Sequence, residues 1–358
     1  MTPLVRAIID TSALKSNLRQ IRAKAPGSRV MAVVKANAYG HGLVQTALAL
    51  PEADGFAVAR LEEGIELRDA GVRQQIVLLE GVFSAEQLAE AAQRRFEIVV
   101  HDPLQVSLLE RFRAQHRFVV WLKVDTGMNR LGFRPEDFGA VLARIRALRP
   151  PAAELRLMTH LARADEQDSP MTRAQLERFQ ALTDGLGLTR SIGNSAGILG
   201  WGGACGDWIR PGLALYGLSP FAGKSSAQFG LIPVMTLAST VITVRRVPRG
   251  ETVGYGGAWS AQRDSRIAIV AGGYGDGLLR SIATGAPVLV NGRRAPLVGR
   301  VAMDMIAVDV SELAEVEVGT RCVLWGRGLE VSELAAHAGS VAYELLCGVR
   351  ARVPREVI

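Results

Sequence analysis

The feature that most constrains the fold is a regular alternation, from Thr11 to about Leu218, of short apolar runs with stretches of helical period. Apolar runs of this length, bounded by turn residues, are typical of buried strands. The predicted strands are Val30–Lys35, Gly55–Ala59, Ile76–Glu80, Glu97–His101, Val119–Asp125, Glu154–His160, Arg190–Gly193 and Ile209–Tyr216. The predicted helices are Ser12–Lys24 before the first strand and, between the strands, His41–Leu50, Leu61–Ala70, Ala85–Arg94, Leu104–Arg113, Pro135–Leu148, Thr172–Leu186 and Ala196–Trp201.

Strands that alternate with helices in this way predict an α/β fold, a parallel (β/α)8 barrel of the TIM type. Periodicity does not show whether a sheet closes on itself, so an open doubly wound sheet remains the alternative.

After about Gln228 the pattern changes to short β-branched runs separated by Gly, Asn and Pro. The runs are Val241–Val244, Ile267–Val270, Val288–Val290 and Ile306–Val310. Asn291-Gly292, between Val288–Val290 and Arg294–Val298, indicates a hairpin because both turn residues tolerate positive φ. One short helix is expected near Ser332–Ala338. We therefore predict two domains: the barrel at residues 1–228, and a C-terminal mostly-β domain at residues 229–358.

The composition argues against a nucleic-acid-binding protein. The 358 residues are 48% hydrophobic, enough for the cores of two domains. The net charge of +7 raises the question of nucleic acid. However, the arginines are spread along amphipathic stretches such as Leu142–Arg149, a pattern typical of a solvated helix face. We therefore expect no nucleic-acid partner.

The cysteines and the N-terminus indicate the compartment. Cys205, Cys322 and Cys347 are widely spaced, which argues against a disulfide framework or a zinc site and fits a reducing cytosol. Met1–Asp10 lacks the apolar run of a signal peptide, and no apolar stretch of about 18 residues could cross a membrane. The expectation is a cytoplasmic protein that binds neither metal nor membrane.

Several polar residues fall where the predicted strands end. In a parallel barrel the functional groups gather at the carboxyl ends of the strands. The residues at these ends are Lys35, Lys123 with Asp125, His160, Asn194-Ser195, and Arg210 on the eighth predicted strand with Pro211-Gly212 behind it. We expect them to meet on one rim of the barrel.

Lys35, in the run Val33–Gly42, is the candidate nucleophile. A lysine at the end of a buried strand is costly as an ammonium ion, and the neutral amine can form a Schiff base with an aldehyde cofactor. A strand-end lysine that reaches for solvent is the simpler interpretation of Lys35 taken alone.

A cofactor phosphate would need backbone N–H groups and hydroxyls. Ser195 opens a predicted helix, where it could also be an ordinary N-cap, and Gly212 allows close backbone approach. Tyr39 and Tyr343 could add phenol donors, although the sequence does not separate ligand contact from partial burial for either.

The run around Lys35 resembles the pyridoxal-phosphate lysine motif of the alanine racemase family, and further motifs of that family follow along essentially the whole chain. They are Lys123–Gly132, Met158–His160, Arg210–Gly217, Val253–Gly256, Gly272–Gly277 and Gly299–Met305. In this order and spacing they are highly specific. The resemblance implies pyridoxal 5'-phosphate as cofactor, a head-to-tail homodimer, and interconversion of L- and D-alanine.

The resemblance also implies roles for single residues. Lys35 holds the cofactor and is one catalytic base, while Tyr255 of the partner subunit is the second base on the opposite face, as racemisation requires. A free tyrosine has a pKa of about 10 and is a poor base at neutral pH. His160, linked to Arg210, is expected to favour the phenolate.

Further roles concern the cofactor ring and the substrate. Arg210 resembles the arginine that faces the pyridine nitrogen, where a permanent donor limits the charge that enters the ring. Arg130 resembles the residue that binds the substrate carboxylate or the phenolic oxygen of the cofactor. It depends on Lys123, which is carbamylated in many relatives; a plain Lys123–Asp125 salt bridge is the alternative. Met303 and Asp304 resemble residues of the partner subunit that line the substrate pocket.

Other functions on the same resemblance remain open. A broader amino-acid racemase often carries an export signal and disulfides, which are not expected here. A decarboxylase on this barrel should have a longer chain and a catalytic cysteine. A carrier of pyridoxal phosphate ends after the barrel, whereas this chain continues past Tyr255. The product D-alanine would serve peptidoglycan, or the enzyme would serve alanine catabolism.

Overall fold

The computed structural model describes residues 3–150 and 152–358. Its strands are β1 Arg6–Ile9, β2 Arg29–Val33, β3 Gly55–Val58, β4 Gln75–Leu78, β5 Glu97–Val100, β6 Val119–Lys123, β7 Glu154–Met158, β8 Arg190–Ser191, β9 Trp208–Ile209, β10 Met235–Val247, β11 Thr252–Val253, β12 Trp259–Ser260, β13 Ser265–Ala271, β14 Pro287–Val290, β15 Arg293–Val298, β16 Met305–Asp309, β17 Arg321–Trp325 and β18 Arg355–Val357. Its helices are α1 Thr11–Lys24, α2 Lys35–Tyr39, α3 Leu43–Leu48, α4 Leu61–Asp69, α5 Ala85–Gln93, α6 Pro103–Arg111, α7 Pro135–Arg146, α8 Pro170–Thr183, α9 Ser195–Gly200, α10 Val331–His337 and α11 Ala342–Gly348. None of the helices within these described ranges is long and apolar enough to span a bilayer.

The first large sheet is a closed parallel barrel made of β2 to β9. The strands follow one another in chain order, and β9 lies beside β2. Backbone hydrogen bonds from Asp207 to Arg190 (2.9 Å) and from Arg210 to Gly193 (2.8 Å) join the two ends of the sheet. Strands such as β3 and β5 are buried along their whole length, as expected for a parallel sheet covered by helices. The predicted (β/α)8 barrel is confirmed, and the open sheet is excluded.

The eighth predicted strand, Ile209–Tyr216, is wrong after its first residue. The strand ends at Ile209 because Pro211 has no amide hydrogen with which to continue the ladder. The chain then coils through successive turns, with hydrogen bonds from Leu215 to Gly212 (2.9 Å) and from Tyr216 to Leu213 (3.1 Å). Arg210 therefore lies just past the strand, in the loop, and not on the strand as predicted.

The opposite, amino-terminal end of the barrel interior contains a buried ion pair. Arg156 on β7 donates to Glu97 on β5 (Nη1–Oε2, 3.1 Å), and both side chains are about 95% buried. The Arg156 guanidinium lies 5.1 Å from the ring centre of Trp121 and 5.5 Å from that of Trp208. Trp121 Nε1 also donates to Glu97 (2.7 Å). This cluster fills the barrel interior at its amino-terminal end.

The second large sheet is antiparallel over most of its area and contains the C-terminal strands. Its order is β13-β16-β15-β14-β17-β10-β1-β18, and β13 also pairs with β10. Asn291 and Gly292, with φ of +49° and +75°, join β14 to β15, which confirms the predicted hairpin. Helix α10 confirms the short helix expected near Ser332–Ala338, whereas α11 had no counterpart among the predicted elements.

The strand β1 lies in this second sheet although it precedes the barrel in sequence. It pairs antiparallel with β10 and parallel with β18, so that Ala7 lies opposite Leu237 on one side and Arg355 on the other. Helix α1 then carries the chain to the barrel. Local sequence does not indicate this pairing, because both partners lie hundreds of residues away.

Candidate active site

A cavity of about 490 Å³ opens at the carboxyl ends of the barrel strands. The predicted site residues in its wall are Lys35, Tyr39, Lys123, Arg130, His160, Ser195, Arg210, Gly212 and Tyr343. The convergence expected from the barrel pattern is therefore present. The wall also includes Cys347, which the sequence did not indicate as a site residue; its spacing of four from Tyr343 could have placed both on one face of a helix.

Lys35 is followed by a left-handed backbone segment. Ala36, Asn37, Ala38 and Tyr39 have φ between +51° and +55°, so that α2 is left-handed after its first residue. This conformation costs about 1–2 kcal/mol for each residue other than glycine. Hydrogen bonds from Ala38 to the Val34 carbonyl (2.8 Å) and from Gly40 to the Ala36 carbonyl (3.1 Å) close the turn. As a result, the half-buried Lys35 and the phenol of Tyr39 face the same cavity.

The predicted helix His41–Leu50 consequently begins two residues late, at Leu43, and ends at Leu48. His41 is instead a buried support for the turn. Its Nδ1 lies 2.9 Å from the carbonyl oxygens of both Ala38 and Tyr39, and its ring stacks on Tyr216 at 4.4 Å. Burial lowers the pKa of His41 to about 4, so the ring is neutral near neutral pH.

Arg210 is buried in the wall of the cavity, and both of its Nη atoms make hydrogen bonds. Its Nη1 donates to Ser191 Oγ (2.6 Å), and its Nη2 donates to the Thr159 carbonyl (2.6 Å) and to His160 Nδ1 (3.2 Å). Burial lowers the pKa of Arg210 to about 10, which still leaves it charged at neutral pH.

His160 is held in one neutral tautomer by this arginine. A guanidinium donates hydrogen bonds but does not accept them, so His160 Nδ1 must accept and the proton must lie on Nε2. Burial first, and then the cations Arg210 and Lys123, hold the pKa of His160 well below its usual range. The ring therefore presents an N–H group.

Lys123 is a buried amine in cationic surroundings. Burial lowers its pKa to about 7, helped by Arg210 and Arg130. Within the described residues, no ion pair joins Lys123 to Asp125, whose Oδ1 accepts from the amides of Gly127 (2.9 Å) and Asn129 (3.0 Å). The alternative of a plain Lys123–Asp125 salt bridge is therefore not present. A pKa near 7 leaves part of Lys123 as the neutral amine at pH 7.

The cavity wall also contains hydroxyls and close-packed backbone. Ser195 Oγ accepts from the amides of Gly212 and Ala214, each at 3.1 Å. The N-cap of α9 is Asn194, not Ser195. A Cβ on Gly212 would lie 2.6 Å from Tyr39 Oη, so a side chain there would push the phenol out of place.

The phenols that line the cavity keep their protons. Burial, with the nearby Tyr343, raises the pKa of Tyr39 far above its usual value, and burial together with Asp165 raises the pKa of Tyr343 to about 12. Protonated phenols and a hydroxyl are donors suited to phosphate oxygens. Amines and hydroxyl donors in the wall of one cavity fit a phosphorylated aldehyde such as pyridoxal 5'-phosphate.

Three predicted site residues do not line the cavity formed by the described part of this chain. Tyr255 is 72% exposed and Met303 is 53% exposed, both on the C-terminal domain. Asp304 pairs with Arg352 (Oδ1–Nη2, 2.8 Å), which also holds Asp276. All three residues are exposed on the surface of the described chain.

Two family models cover nearly the whole chain. Residues 9–220 match the model described as alanine racemase, N-terminal domain, and residues 234–357 match the model described as alanine racemase, C-terminal domain. The chain belongs to the alanine racemase family. It is an enzyme of the racemase class.

Individual members of the alanine racemase family are similar over their full length. The alanine racemase of Shewanella baltica (strain OS185) is 50% identical over 353 residues, 99% of each chain, and that of Aliivibrio salmonicida (strain LFI1238) is 46% identical over 352 residues, 98% of each chain. The crystal structure of the biosynthetic alanine racemase from Pseudomonas aeruginosa is 46% identical, covers 100% of both chains and superposes with a TM-score of 0.97. The alanine racemase from Acinetobacter baumannii is 38% identical with a TM-score of 0.94.

Proposed function

We propose that this protein is an alanine racemase that interconverts L-alanine and D-alanine with pyridoxal 5'-phosphate. The observation that carries the proposal is the cavity. It brings together Lys35, hydroxyl and phenol donors suited to a phosphate, and the Arg210–His160 pair at one rim of the barrel. Relatives named alanine racemase, about half identical over the full length, support the same substrate.

The residues that would hold the cofactor follow from their chemistry. The Lys35 amine would take the aldehyde carbon, and Tyr39, Ser195, Gly212 and Tyr343 would surround the phosphate. When bound, pyridoxal phosphate withdraws electrons from the Cα–H bond of an attached amino acid. Arg210 would donate to the pyridine nitrogen and so keep it free of a proton, which limits side reactions.

Racemisation needs a proton donor or acceptor on each face of the substrate. We assign Lys35 to one face and Tyr255 of the partner subunit to the other. Two features support this assignment: Tyr255 does not line the cavity of its own described chain, and it is largely exposed on the C-terminal domain. The donor N–H of His160 would stabilise the phenolate. The site is then complete only in a head-to-tail homodimer, in which Tyr255, Met303 and Asp304, within residues 229–358 of each subunit, serve the barrel, residues 1–228, of the other. Tyr343, also within residues 229–358, lines the cavity of its own chain.

The substrate carboxylate would be bound by Arg130, whose side chain reaches the cavity from an exposed position. Carbamylation would turn Lys123 into an anion that orients Arg130. The low pKa of Lys123 supports this modification, because only the neutral amine reacts. Met303 and Asp304 of the partner subunit would close the pocket around the small side chain of alanine.

We place the enzyme in the cytoplasm, where D-alanine would supply peptidoglycan or alanine would be broken down.

The decisive experiment is α-proton exchange of L-alanine in deuterated water by cofactor-loaded protein, read together with a chiral assay. Deuterium incorporation with D-alanine formed is the expected result. Bound cofactor with neither exchange nor D-alanine would reject alanine as the substrate.

A further inference from the structure

The left-handed segment Ala36–Tyr39 begins directly after Lys35 and ends at Tyr39, and both Lys35 and Tyr39 face the cavity. Four successive residues without glycine rarely adopt this conformation, and it persists only where surrounding contacts enforce it. The contacts that enforce it therefore determine where Lys35 and Tyr39 lie relative to each other.

The carboxyl-side end of the segment is held by two side chains. His41 Nδ1 lies 2.9 Å from the carbonyl oxygens of Ala38 and Tyr39, and Arg355 Nε on β18 donates to the Gly40 carbonyl (2.7 Å). A Cβ on Gly40 would lie 2.0 Å from the Leu346 carbonyl oxygen, so α11 also packs tightly against this end. These contacts fix Tyr39 but do not reach Lys35.

The Lys35 end is held by Glu63, in the first turn of α4. Its Oε1 accepts from the Ala36 amide (2.7 Å), the first amide after Lys35. Its Oε2 accepts from the amides of Ala59 (2.8 Å) and Arg60 (3.1 Å) in the loop after β3. In the described part of the chain, no other side chain hydrogen-bonds to the Ala36 backbone. One carboxylate thus ties the segment after β2 to the loop after β3.

We propose that Glu63 is a positioning residue for Lys35. Its carboxylate holds the left-handed segment in the conformation that sets the Lys35 amine and the Tyr39 phenol at the spacing required by the cofactor. This inference rests on the proposed function, in which both side chains contact pyridoxal phosphate. Glu63 itself does not line the cavity, so it would act through Lys35 and not by contact with cofactor or substrate.

The test is Glu63→Gln, measured as the affinity of cofactor-free protein for pyridoxal 5'-phosphate by absorbance titration. Whichever way the amide is turned, it presents an N–H group to a backbone N–H on one side of the bridge. Loss of a charge-assisted hydrogen bond should weaken binding about tenfold to a hundredfold. Mass spectrometry after borohydride reduction should show a matching loss of modified Lys35.

The matched control is Glu62→Gln, which removes the same charge from the same helical turn. Glu62 is exposed and makes no hydrogen bond with the described residues, so its variant should bind within about twofold of wild type. Melting temperatures of the cofactor-free proteins show whether each variant is folded.

A rescue variant separates positioning from general damage. Ala36→Gly, added to Glu63→Gln, should recover part of the affinity, because glycine adopts positive φ without strain. Cofactor binding by Glu63→Gln equal to wild type would contradict the inference alone. Equal losses in Glu62→Gln and Glu63→Gln, or no recovery with glycine, would also contradict it. Wild-type protein that takes up no pyridoxal phosphate would instead overturn the proposed function.

Discussion

At the scale of single residues, burial decides which form each ionisable group of the cavity adopts. Burial and Arg210 keep the pKa of His160 low, so the ring is neutral, whereas burial keeps the Tyr343 phenol protonated by raising its pKa to about 12. Lys123, with a pKa near 7, is present at neutral pH both as the ammonium ion and as the neutral amine. The cavity therefore offers hydrogen-bond donors and a guanidinium to an anionic ligand, and one amine that can be modified.

Tyr255→Phe should separate cofactor binding from proton transfer. The substitution removes one oxygen from an exposed side chain, so uptake of pyridoxal phosphate should match wild type. Racemisation should fall about 10²- to 10⁴-fold, the usual contribution of a general base, with proton abstraction from L-alanine affected most. Deuterium exchange of L- and D-alanine measures both directions. Full activity in this variant would rule out the two-base assignment.

The buried Lys123 should make stability depend on pH. Its folded pKa is about 7 and its ordinary value 10.5, so between these values the unfolded chain holds a proton that the folded chain lacks. The penalty is fully present below pH 7 and is relieved as the pH rises to 10.5. In buffer free of carbon dioxide, the free energy of unfolding of wild type relative to Lys123→Met should rise by up to about 1.4 kcal/mol per pH unit. Lys15→Met, at an exposed position of α1, is the control variant for loss of a lysine.

At the scale of elements, the sequence predicted the barrel because its strands and helices carry strong local patterns. The hydrophobic runs from β2 to β7 mark each strand, and the site residues at their ends follow from strand direction. The left-handed segment was missed, since Ala36, Asn37 and Ala38 have no local preference for positive φ comparable to that of glycine. The loop position of Arg210 was missed because Ile209–Tyr216 has the composition of a strand apart from Pro211 and Gly212. The positive φ values of Ala36–Tyr39 depend instead on contacts with residues that are distant in sequence.

Breaking the ion pair inside the barrel should destabilise the protein, because the remaining partner is then left as an uncompensated buried charge. Arg156→Met would leave the Glu97 carboxylate buried without its charge partner, which costs about 3–5 kcal/mol. Adding Glu97→Gln should recover part of this loss, because no buried charge then remains. Urea unfolding of the single and double variants measures the difference. Arg163→Met, which breaks an exposed pair with Glu166, should change stability by less than about 1 kcal/mol.

At the scale of the whole molecule, the proposed function divides the active site between two subunits. The barrel carries the cavity with Lys35, and the C-terminal domain carries Tyr255 and Met303 on an exposed surface. A head-to-tail dimer would bring each half to the complementary half of its partner. Activity would then depend on assembly as well as on folding.

Mixing two inactive variants should test this arrangement. Lys35→Ala lacks the amine that takes the cofactor, and Tyr255→Phe lacks the second base. In a mixed dimer one site carries both changes and the other carries neither, so unfolding and refolding the two variants together should restore about one quarter of wild-type activity. Each variant refolded alone is the control. A mixture no more active than its components would show that both bases come from one chain.

The position of β1 has a consequence for how the protein is made. Ribosomes synthesise Arg6–Ile9 before the barrel, yet both partners of this strand, β10 and β18, are made after it. The barrel strands can pair while translation continues, but β1 has no partner until Met235–Val247 has left the ribosome, and one of its edges stays open until Arg355–Val357 follows. During that interval its open backbone groups are a point where neighbouring nascent chains could associate, and where a chaperone would protect them.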